Sequence, residues 1–339
     1  MQPARSGLVL SAAVVFGAVL GLAAPRAASS NPAPAAERRA GDAPVVSLER
    51  TAFGLSGALR VAIVDPGEAL RLPLVWQGST PGPVLYRWTS LESGRSPGVL
   101  GSEPMAGGEV RAPGTWGTWR LNLTGGTWSQ VLPDLTVLTR VPLSEKRRGY
   151  VNGYYLGSWW TEGTDRNDRY APPSGLVEVT PQNQDLHVSE HFRLRNFLTK
   201  NQFGTWPKYV VLDLRLVDKL ELVLQELNAM GVRAERMAVM SGFRTPAYNG
   251  PGEGGRAKLS RHTYGDASDV WVDNDGDGYI DDLNRDGRRD VQDARVMLLA
   301  VERVEARHPE LVGGAGVYLD NGAHGPFIHI DTRGNRARW

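Results

Sequence analysis

Residues 260–269 read SRHTYGDASD, and residues 327–331 read FIHID. These stretches place His262 and Asp269 seven residues apart and add His329 sixty residues further along. Two imidazoles and one carboxylate suit Zn²⁺ and leave a fourth position for water, which is the arrangement of a catalytic rather than a structural zinc site. The sequence therefore predicts a metal-dependent hydrolase.

The three predicted ligands are polar residues in largely apolar surroundings. Asp269 precedes Val270-Trp271, where a buried carboxylate must be paired or bound to a metal. His329 lies in an apolar strand, and strand alternation sends it to one face with Asp331. His262 alone indicates little, because a lone histidine is usually a surface or satisfied core residue. The three residues are explained better together than separately.

Composition excludes several classes of protein and site. The chain has 339 residues, 41% of them hydrophobic, which is enough for two domains with their own cores. Its formal net charge of +1 lacks the excess of basic residues that is typical of nucleic-acid-binding proteins. It has no cysteine. Disulfides, thiolate zinc sites and a cysteine nucleophile are therefore excluded.

The N-terminus reads as an export signal. Arg5 precedes the apolar run 8–24, and small residues follow at 27–30. We predict a signal peptide over 1–29 and a disordered linker over 30–44, with the remaining chain periplasmic or secreted. The alternative is an uncleaved anchor, because the run approaches the roughly 20 residues that span a bilayer. If the signal is cleaved, no stable membrane span remains.

Residues 45–141 are expected to form a small β-sandwich-like domain, because short β-branched and aromatic runs alternate with Gly and Pro turns. The tryptophans of this region are either a sugar-binding platform or core packing, and packing is favoured. Residues 142–174 form an aromatic connector. It either lines a cleft or packs as an arm on the following domain.

Residues 175–339 predict a second domain of the α+β class, with helices on a small antiparallel sheet. The apolar periodicity predicts long helices over 212–230 and 291–306 and a short helix over 192–200. Strands are expected at 236–240 and 269–272, with a closing hairpin formed by 316–319 and 327–331.

Three elements resemble the zinc D-Ala-D-Ala carboxypeptidases and the related murein endopeptidases: residues 241–246 (SGFRTP), 260–269 and 327–331. The resemblance covers roughly 177–339 and is closest to the endopeptidase branch. It implies that His262, Asp269 and His329 bind zinc. It also implies that Arg244 holds a substrate carboxylate or donates to a peptide carbonyl, although a structural salt bridge is the alternative for such a residue.

The chain departs from the family pattern at the catalytic base. Pro326 and Phe327 occupy the positions where members of the family, or related zinc enzymes, carry Glu or His. His324 is the local candidate to accept a proton or stabilise an oxyanion, and a simple loop histidine is the alternative. Asp331 is expected to orient a ligand or cap the strand rather than act as the base. Asp266 is a weaker candidate.

An acidic insert over 273–293 predicts calcium binding. Two overlapping EF-hand-like loops can be aligned, with Gly278 and Gly287 at the sixth positions, and the second resembles a dockerin-type loop. The alternative is a solvated acidic loop. A structural role is expected for Ca²⁺, and the predicted oxygen ligands are Asp273, Asp275, Asp277, Asp281, Asp282, Asn284, Asp286, Asp290 and Asp293.

Together these features predict an exported zinc metallopeptidase that hydrolyses amide bonds of peptidoglycan stem peptides or cross-links by zinc-activated water. Peptidoglycan is the expected partner, and no nucleic acid is expected. One alternative is a zinc dipeptidase or amidase acting on other extracellular substrates. Another is a catalytically silent cell-wall binding or scaffolding protein with a structural zinc.

Overall fold

The computed structural model describes residues 43–80, 82–92, 101–165, 168–250 and 256–339. The predicted signal peptide and nearly all of the predicted linker lie outside these residues. The described part is mixed α+β, as the sequence predicted, and residues 43–339 belong to one compact unit. Within the described residues, no helix is long and apolar enough to cross a membrane.

The N-terminal part is built from short strands. The described strands are β1 (Val45–Leu48), β2 (Val61–Val64), β3 (Ala69–Arg71), β4 (Leu74–Gln77), β5 (Leu85–Ser90), β6 (Glu103–Pro104), β7 (Glu109–Arg111), β8 (Gly117–Gly125) and β9 (Trp128–Thr139). Five of them form a sheet in the order β2-β9-β8-β5-β6, in which β2 and β9 run parallel. Two-stranded sheets β1-β4 and β3-β7 accompany it. A short helix, α1 (Arg50–Phe53), follows β1.

These strands enclose their own hydrophobic core. Trp88 and Trp119 are each 3% exposed within it, and Trp76 and Trp128 pack against it with ring centroids 5.4 Å apart. Trp116, the fifth tryptophan of this region, packs instead against the main core, so the expectation that these tryptophans serve packing is confirmed.

The connector packs on the C-terminal part. Its β10 (Val141–Pro142) pairs with β13 (Gly175–Val179), which pairs in turn with β14 (Lys208–Val210). A small hairpin, β11 (Tyr150–Val151) and β12 (Tyr154–Tyr155), follows β10. Trp159 is buried in the main core, and its indole N–H donates to the Thr263 carbonyl at 2.7 Å. The connector is therefore a packed arm.

The C-terminal part contains two long helices, α2 (Leu214–Ala229) and α4 (Val291–Arg307), which pack against each other. Asp213 and Asp290 cap their first turns through side-chain oxygens. Both helices confirm the predictions to within two residues. The helix predicted over 192–200 is wrong in extent. Only a 3₁₀ turn, Leu194–Phe197, forms, because the Asn196 side chain accepts the Arg193 N–H and the chain is extended on both sides.

Five strands form the sheet that carries Asp269 and His329: β15 (Met237–Ser241), β16 (Ala267–Val272), β17 (Gly314–Tyr318), β18 (Phe327–Asp331) and β19 (Ala337–Arg338). Their order in the sheet is β15-β16-β18-β17-β19. The short helix α3 (Pro246–Asn249) follows β15, and the closing hairpin β17–β18 is antiparallel, as predicted.

Strand register aligns four residues in one row across this sheet. Ser241 pairs with Asp269, Asp269 with His329, and His329 with Gly316. Directly opposed residues project to the same face of a sheet. The residues that the sequence separates by sixty positions therefore become neighbours on adjacent strands.

Candidate metal centre

The structure brings His262, Asp269 and His329 together as a buried cluster. Nδ1 of His329 lies 3.0 Å from Oδ1 of Asp269 and 3.2 Å from Nε2 of His262, and the last two atoms are also 3.2 Å apart. Ligand atoms in a tetrahedral zinc site stand about 3.3 Å apart, given metal–ligand distances of about 2.0–2.2 Å. The observed triangle is only a few tenths of an ångström tighter, so these three side chains fit one zinc ion.

The remaining nitrogen of each imidazole is engaged elsewhere. His262 Nδ1 donates to the Gly242 carbonyl at 2.7 Å, because a carbonyl oxygen can only accept. His329 Nε2 lies 3.0 Å from Oδ2 of Asp331. When His262 Nδ1 and His329 Nε2 carry the protons, His262 Nε2 and His329 Nδ1 direct their lone pairs toward each other and toward the Asp269 carboxylate. Three electron-rich atoms at such distances call for a cation among them.

Asp331 is held firmly behind His329. Its Oδ1 accepts from the Gly314 backbone N–H at 2.6 Å and from Nε of Arg333 at 2.9 Å, and the residue is fully buried. Its backbone carbonyl accepts from the buried Lys219 ammonium at 2.8 Å, which also pairs with Glu305 at 2.6 Å. The sequence-based expectation that Asp331 orients a ligand agrees with this geometry, which gives it no free face to act as a base.

Electrostatics favour the ligand forms of His262 and Asp269 and favour a positive charge on His329. Burial lowers the pKa of His262, so this imidazole is neutral. Burial alone would raise the pKa of Asp269, but the two histidines outweigh it and hold this pKa far below its usual range. Burial likewise opposes protonation of His329, yet hydrogen bonds to Asp269 and Asp331 raise its pKa. Positive charge is thus favoured at the centre of the triangle, where a metal ion would replace the proton.

Arg244 lies beside the cluster. Its Nη2 pairs with Oδ2 of Asp269, the oxygen that faces away from the histidines, and its Nε donates to the Ser241 hydroxyl at 2.8 Å. Its side chain is 16% exposed, and Nη1 has no hydrogen-bond acceptor among the described residues. The guanidinium therefore forms the salt bridge that was the alternative for it, and it retains one edge for a further acceptor.

His324 is not joined to the ligands by any hydrogen bond within the described chain. Its Nδ1 donates to the Gly325 carbonyl at 2.9 Å, and its ring packs edge-on against Phe327, with centroids 4.8 Å apart. Phe327 precedes His329 by two residues on the same face of β18. Asp266 is not part of the cluster. Both of its oxygens are taken by Arg261, and the residue is buried.

Two aromatic residues near the cluster, Trp339 and Tyr318, lie within the region of the resemblance but were not predicted as site residues. The Trp339 ring lies 5.2 Å from that of His329 by centroid, and its indole N–H donates to the Tyr318 hydroxyl at 2.8 Å. Gly316 lies beneath this indole, since a Cβ there would come within 2.2 Å of Nε1. Gly316 itself is the sequence signal here, because a glycine inside a strand often marks the close approach of another group.

The acidic insert forms two loops of matching backbone conformation. Gly276 and Gly278 have φ of +79° and +86°, and their counterparts nine residues later, Arg285 and Gly287, have φ of +63° and +82°. In each loop the first aspartate accepts backbone N–H groups. Asp273 accepts from Gly276 and Gly278, and Asp282 from Asp286 and Gly287.

The two loops differ in how they arrange their carboxylates. Asp273, Asp275 and Asp281 bring one oxygen each to within 4.8 Å of one another. Asp277 instead pairs with Arg289 at 2.6 Å. In the second loop, Asp290 and Asp293 accept backbone N–H groups around the start of α4, and Asn284 and Asp286 hydrogen-bond each other at 3.2 Å. No comparable group of three acidic residues lies among the described residues of this loop. Calcium binding stays a prediction for both.

Comparisons with protein families, with curated proteins and with solved structures found no match to this chain.

Proposed function

We propose that this chain is an exported zinc metallopeptidase that hydrolyses amide bonds in peptidoglycan stem peptides or cross-links. The observation that carries the proposal is the triangle of His262 Nε2, Asp269 Oδ1 and His329 Nδ1, with sides of 3.0–3.2 Å. Two imidazoles and one carboxylate leave a zinc ion an open position, which distinguishes catalytic from structural sites.

Zinc would be held by His262, Asp269 and His329, and it would supply Lewis-acid activation of a water molecule and of the substrate carbonyl. The residues around it have separate tasks. Asp331 fixes the tautomer and orientation of His329, and the Gly242 carbonyl does the same for His262. Arg244 restrains the second oxygen of Asp269 and offers its remaining N–H groups to a substrate carbonyl or carboxylate.

His324 is the proposed proton carrier. Because Nδ1 donates to the Gly325 carbonyl, the neutral ring has its lone pair on Nε2, which is the form that accepts a proton. Its packing on Phe327 places it along the strand that carries His329. When substrate binds, Nε2 of His324 would come within hydrogen-bonding distance of the reacting groups, since catalytic hydrogen bonds often shorten only in the enzyme–substrate complex.

The substrate class comes from the resemblance of the three motifs to zinc peptidases of the cell wall and from the predicted export signal. Calcium in the insert would be structural in this proposal, because the loops connect β16, which carries Asp269, to α4.

The test is digestion of purified peptidoglycan by the full mature chain, with products separated by chromatography and identified by mass spectrometry. Zinc-loaded protein is compared with chelator-treated protein and with His262→Ala. New peptide or uncross-linked species from the zinc-loaded protein alone would support the proposal and identify the bond. Absence of products from protein that demonstrably contains zinc would contradict it and favour a wall-binding role.

A further inference from the structure

A groove of about 270 Å³ lies between the connector and the segments that flank the metal centre. Thr263, the residue after His262, and Pro246, two residues after Arg244, line one side. Trp159 and Trp160 of the connector line the other. We call this the connector groove. Its position next to two site residues in the chain makes it the strongest candidate for a second contact with substrate.

The walls of the connector groove are fixed against each other. The Ala247 N–H donates to the Leu156 carbonyl at 2.9 Å, and Trp159 donates to the Thr263 carbonyl. Gly157 approaches so closely that a Cβ would lie 2.8 Å from the Ala247 nitrogen, and its φ of +78° suits glycine. The groove is therefore preformed, which lowers the entropy cost of binding.

One cation that lines the groove, Lys258, has no carboxylate partner among the described residues. The Lys258 ammonium lies 3.2 Å from the centroid of the Trp160 ring, and it forms no ion pair with the described residues. Arg256, two residues earlier, stacks on Tyr248 and donates to its carbonyl at 2.7 Å, also without an acidic partner in the described chain. Lys146, a lysine of the connector, is in contrast paired with Glu162.

Trp160 supplies an apolar surface beside this charge. Its side chain is among the exposed large hydrophobic residues, with 59% of the residue accessible, whereas the adjacent Trp159 is 3% exposed. An exposed indole that supports an ammonium presents both an aliphatic-binding face and a positive charge to the same ligand. A sugar would use the indole but would leave the ammonium without a counter-charge.

We propose that the connector groove binds a carboxylate-bearing residue of a peptide, with Lys258 as the partner of the carboxylate and Trp160 as the surface for its aliphatic part. That this peptide is the substrate rests on the proposed peptidase function. Lys258 and Trp160 are then specificity-determining residues, and they come from two segments that the metal ligands do not include. The connector, which the resemblance does not cover, becomes part of substrate recognition.

The experiment is calorimetric titration of the full zinc-loaded chain with diacetyl-L-Lys-D-Ala-D-Ala and with its C-terminal amide. Acetylation leaves the terminal carboxylate as the only charge on the acid. Mass spectrometry establishes that the probe is intact after titration, and His262→Ala protein is used if it is cleaved. Lys258→Gln and Trp160→Leu are compared with Arg233→Gln, which removes one positive charge at an exposed site paired with Glu235.

The expected result is that wild type and Arg233→Gln prefer the acid to the amide by about tenfold, in line with one charge-assisted hydrogen bond. Lys258→Gln should abolish this preference, and Trp160→Leu should lower the affinity for both the acid and the amide. Equal affinity for acid and amide, or an unchanged preference in Lys258→Gln, would overturn the inference. So would Trp160-dependent binding of an N-acetylglucosamine oligomer without binding of the acid. Failure of peptidoglycan digestion leaves this binding result intact, so the two proposals fail separately.

Discussion

Asp269 and His329 face each other across the β16–β18 strand pair, with Oδ1 of the carboxylate 3.0 Å from Nδ1 of the imidazole. The contact uses the nitrogen of His329 that does not face Asp331, so the ring is clamped between two carboxylates. One of these belongs to the predicted ligand set and the other supports it. The pairing follows from strand register, and it is therefore part of the fold rather than a property of flexible side chains.

Removing the support behind His329 should weaken metal binding without removing a ligand. We expect Asp331→Asn to lower zinc affinity by about 10–100-fold, because an amide holds the His329 Nε2–H less strongly than a carboxylate does. Competition with a chromophoric chelator measures this loss. Asp185→Asn, which alters an exposed aspartate outside the site, is the matched control. Equal zinc affinities for the two variants would argue against an orienting role for Asp331.

The turn between the first two ligands should tolerate only glycine. Gly265 has φ of +73°, and a Cβ there would lie 2.3 Å from the Val211 carbonyl oxygen. Strain and overlap each cost about 1–3 kcal/mol, so we expect Gly265→Ala to destabilise the chain by about 3 kcal/mol or more in urea unfolding. Gly334→Ala, with φ of +83° and open space around it, should show the strain alone, at about 1 kcal/mol. Similar losses of stability in Gly265→Ala and Gly334→Ala would contradict the close approach of the Val211 carbonyl to Gly265.

His324 should matter for turnover and not for metal content. If the proposed hydrolysis is observed, we expect His324→Gln to lower kcat by about 10²–10⁴-fold, the range of general acid–base catalysis, with zinc affinity unchanged. A loss in kcat of less than about tenfold would make His324 an ordinary loop residue.

The sequence predicted the long elements because each carries several consistent signals. The helices α2 and α4 combine apolar periodicity with Asp213 and Asp290 as N-caps, and the strand alternation at 327–331 places His329 and Asp331 on one face. The three predicted ligands were likewise selected from their local sequence context. Gly265, which lies between the first two, has the left-handed conformation that a tight turn requires.

The remaining features depend on register and on contacts between distant segments. The pairing of Arg244 with Asp269 requires the β15–β16 register, in which Ser241 lies opposite Asp269 after an irregularity in the strand. No periodicity encodes such an offset. The position of the Trp339 ring beside His329 requires β19 to lie parallel to β17. The connector groove combines residues about one hundred positions apart in the chain, and only the folded structure joins them.

Calcium should stabilise the acidic insert through the first loop. Because the oxygens of Asp273, Asp275 and Asp281 lie close together, we expect millimolar Ca²⁺ to raise the Tm of wild-type protein and to have little effect on Asp275→Asn. Mg²⁺ should be less effective, since it demands a smaller octahedral site. Differential scanning calorimetry makes the comparison, with Asp185→Asn as an exposed aspartate outside the insert. A Tm that does not change when Ca²⁺ is added would identify the insert as a solvated acidic loop.

Stability should also depend on pH through His191. Its Nδ1 lies 2.7 Å from Oε2 of the buried Glu221, and the backbone N–H of the same histidine donates to Oε1 at 2.9 Å. The hydrogen bond to Glu221 raises the pKa of His191 above its ordinary value of 6.5, against the opposing effect of burial. The folded state therefore binds the proton more tightly than the unfolded state does.

The sign follows from that difference. The stabilising contribution is complete below the unfolded pKa of about 6.5 and is lost as the pH rises through the higher folded pKa. Urea unfolding of wild type and His191→Gln between about pH 5.5 and 8.5 measures it, and the stability difference between the two proteins should shrink as the pH increases. Titration of the metal-site histidines is common to both proteins and cancels in the difference. A difference that is constant or grows with pH would show that Glu221 does not favour the protonated form of His191.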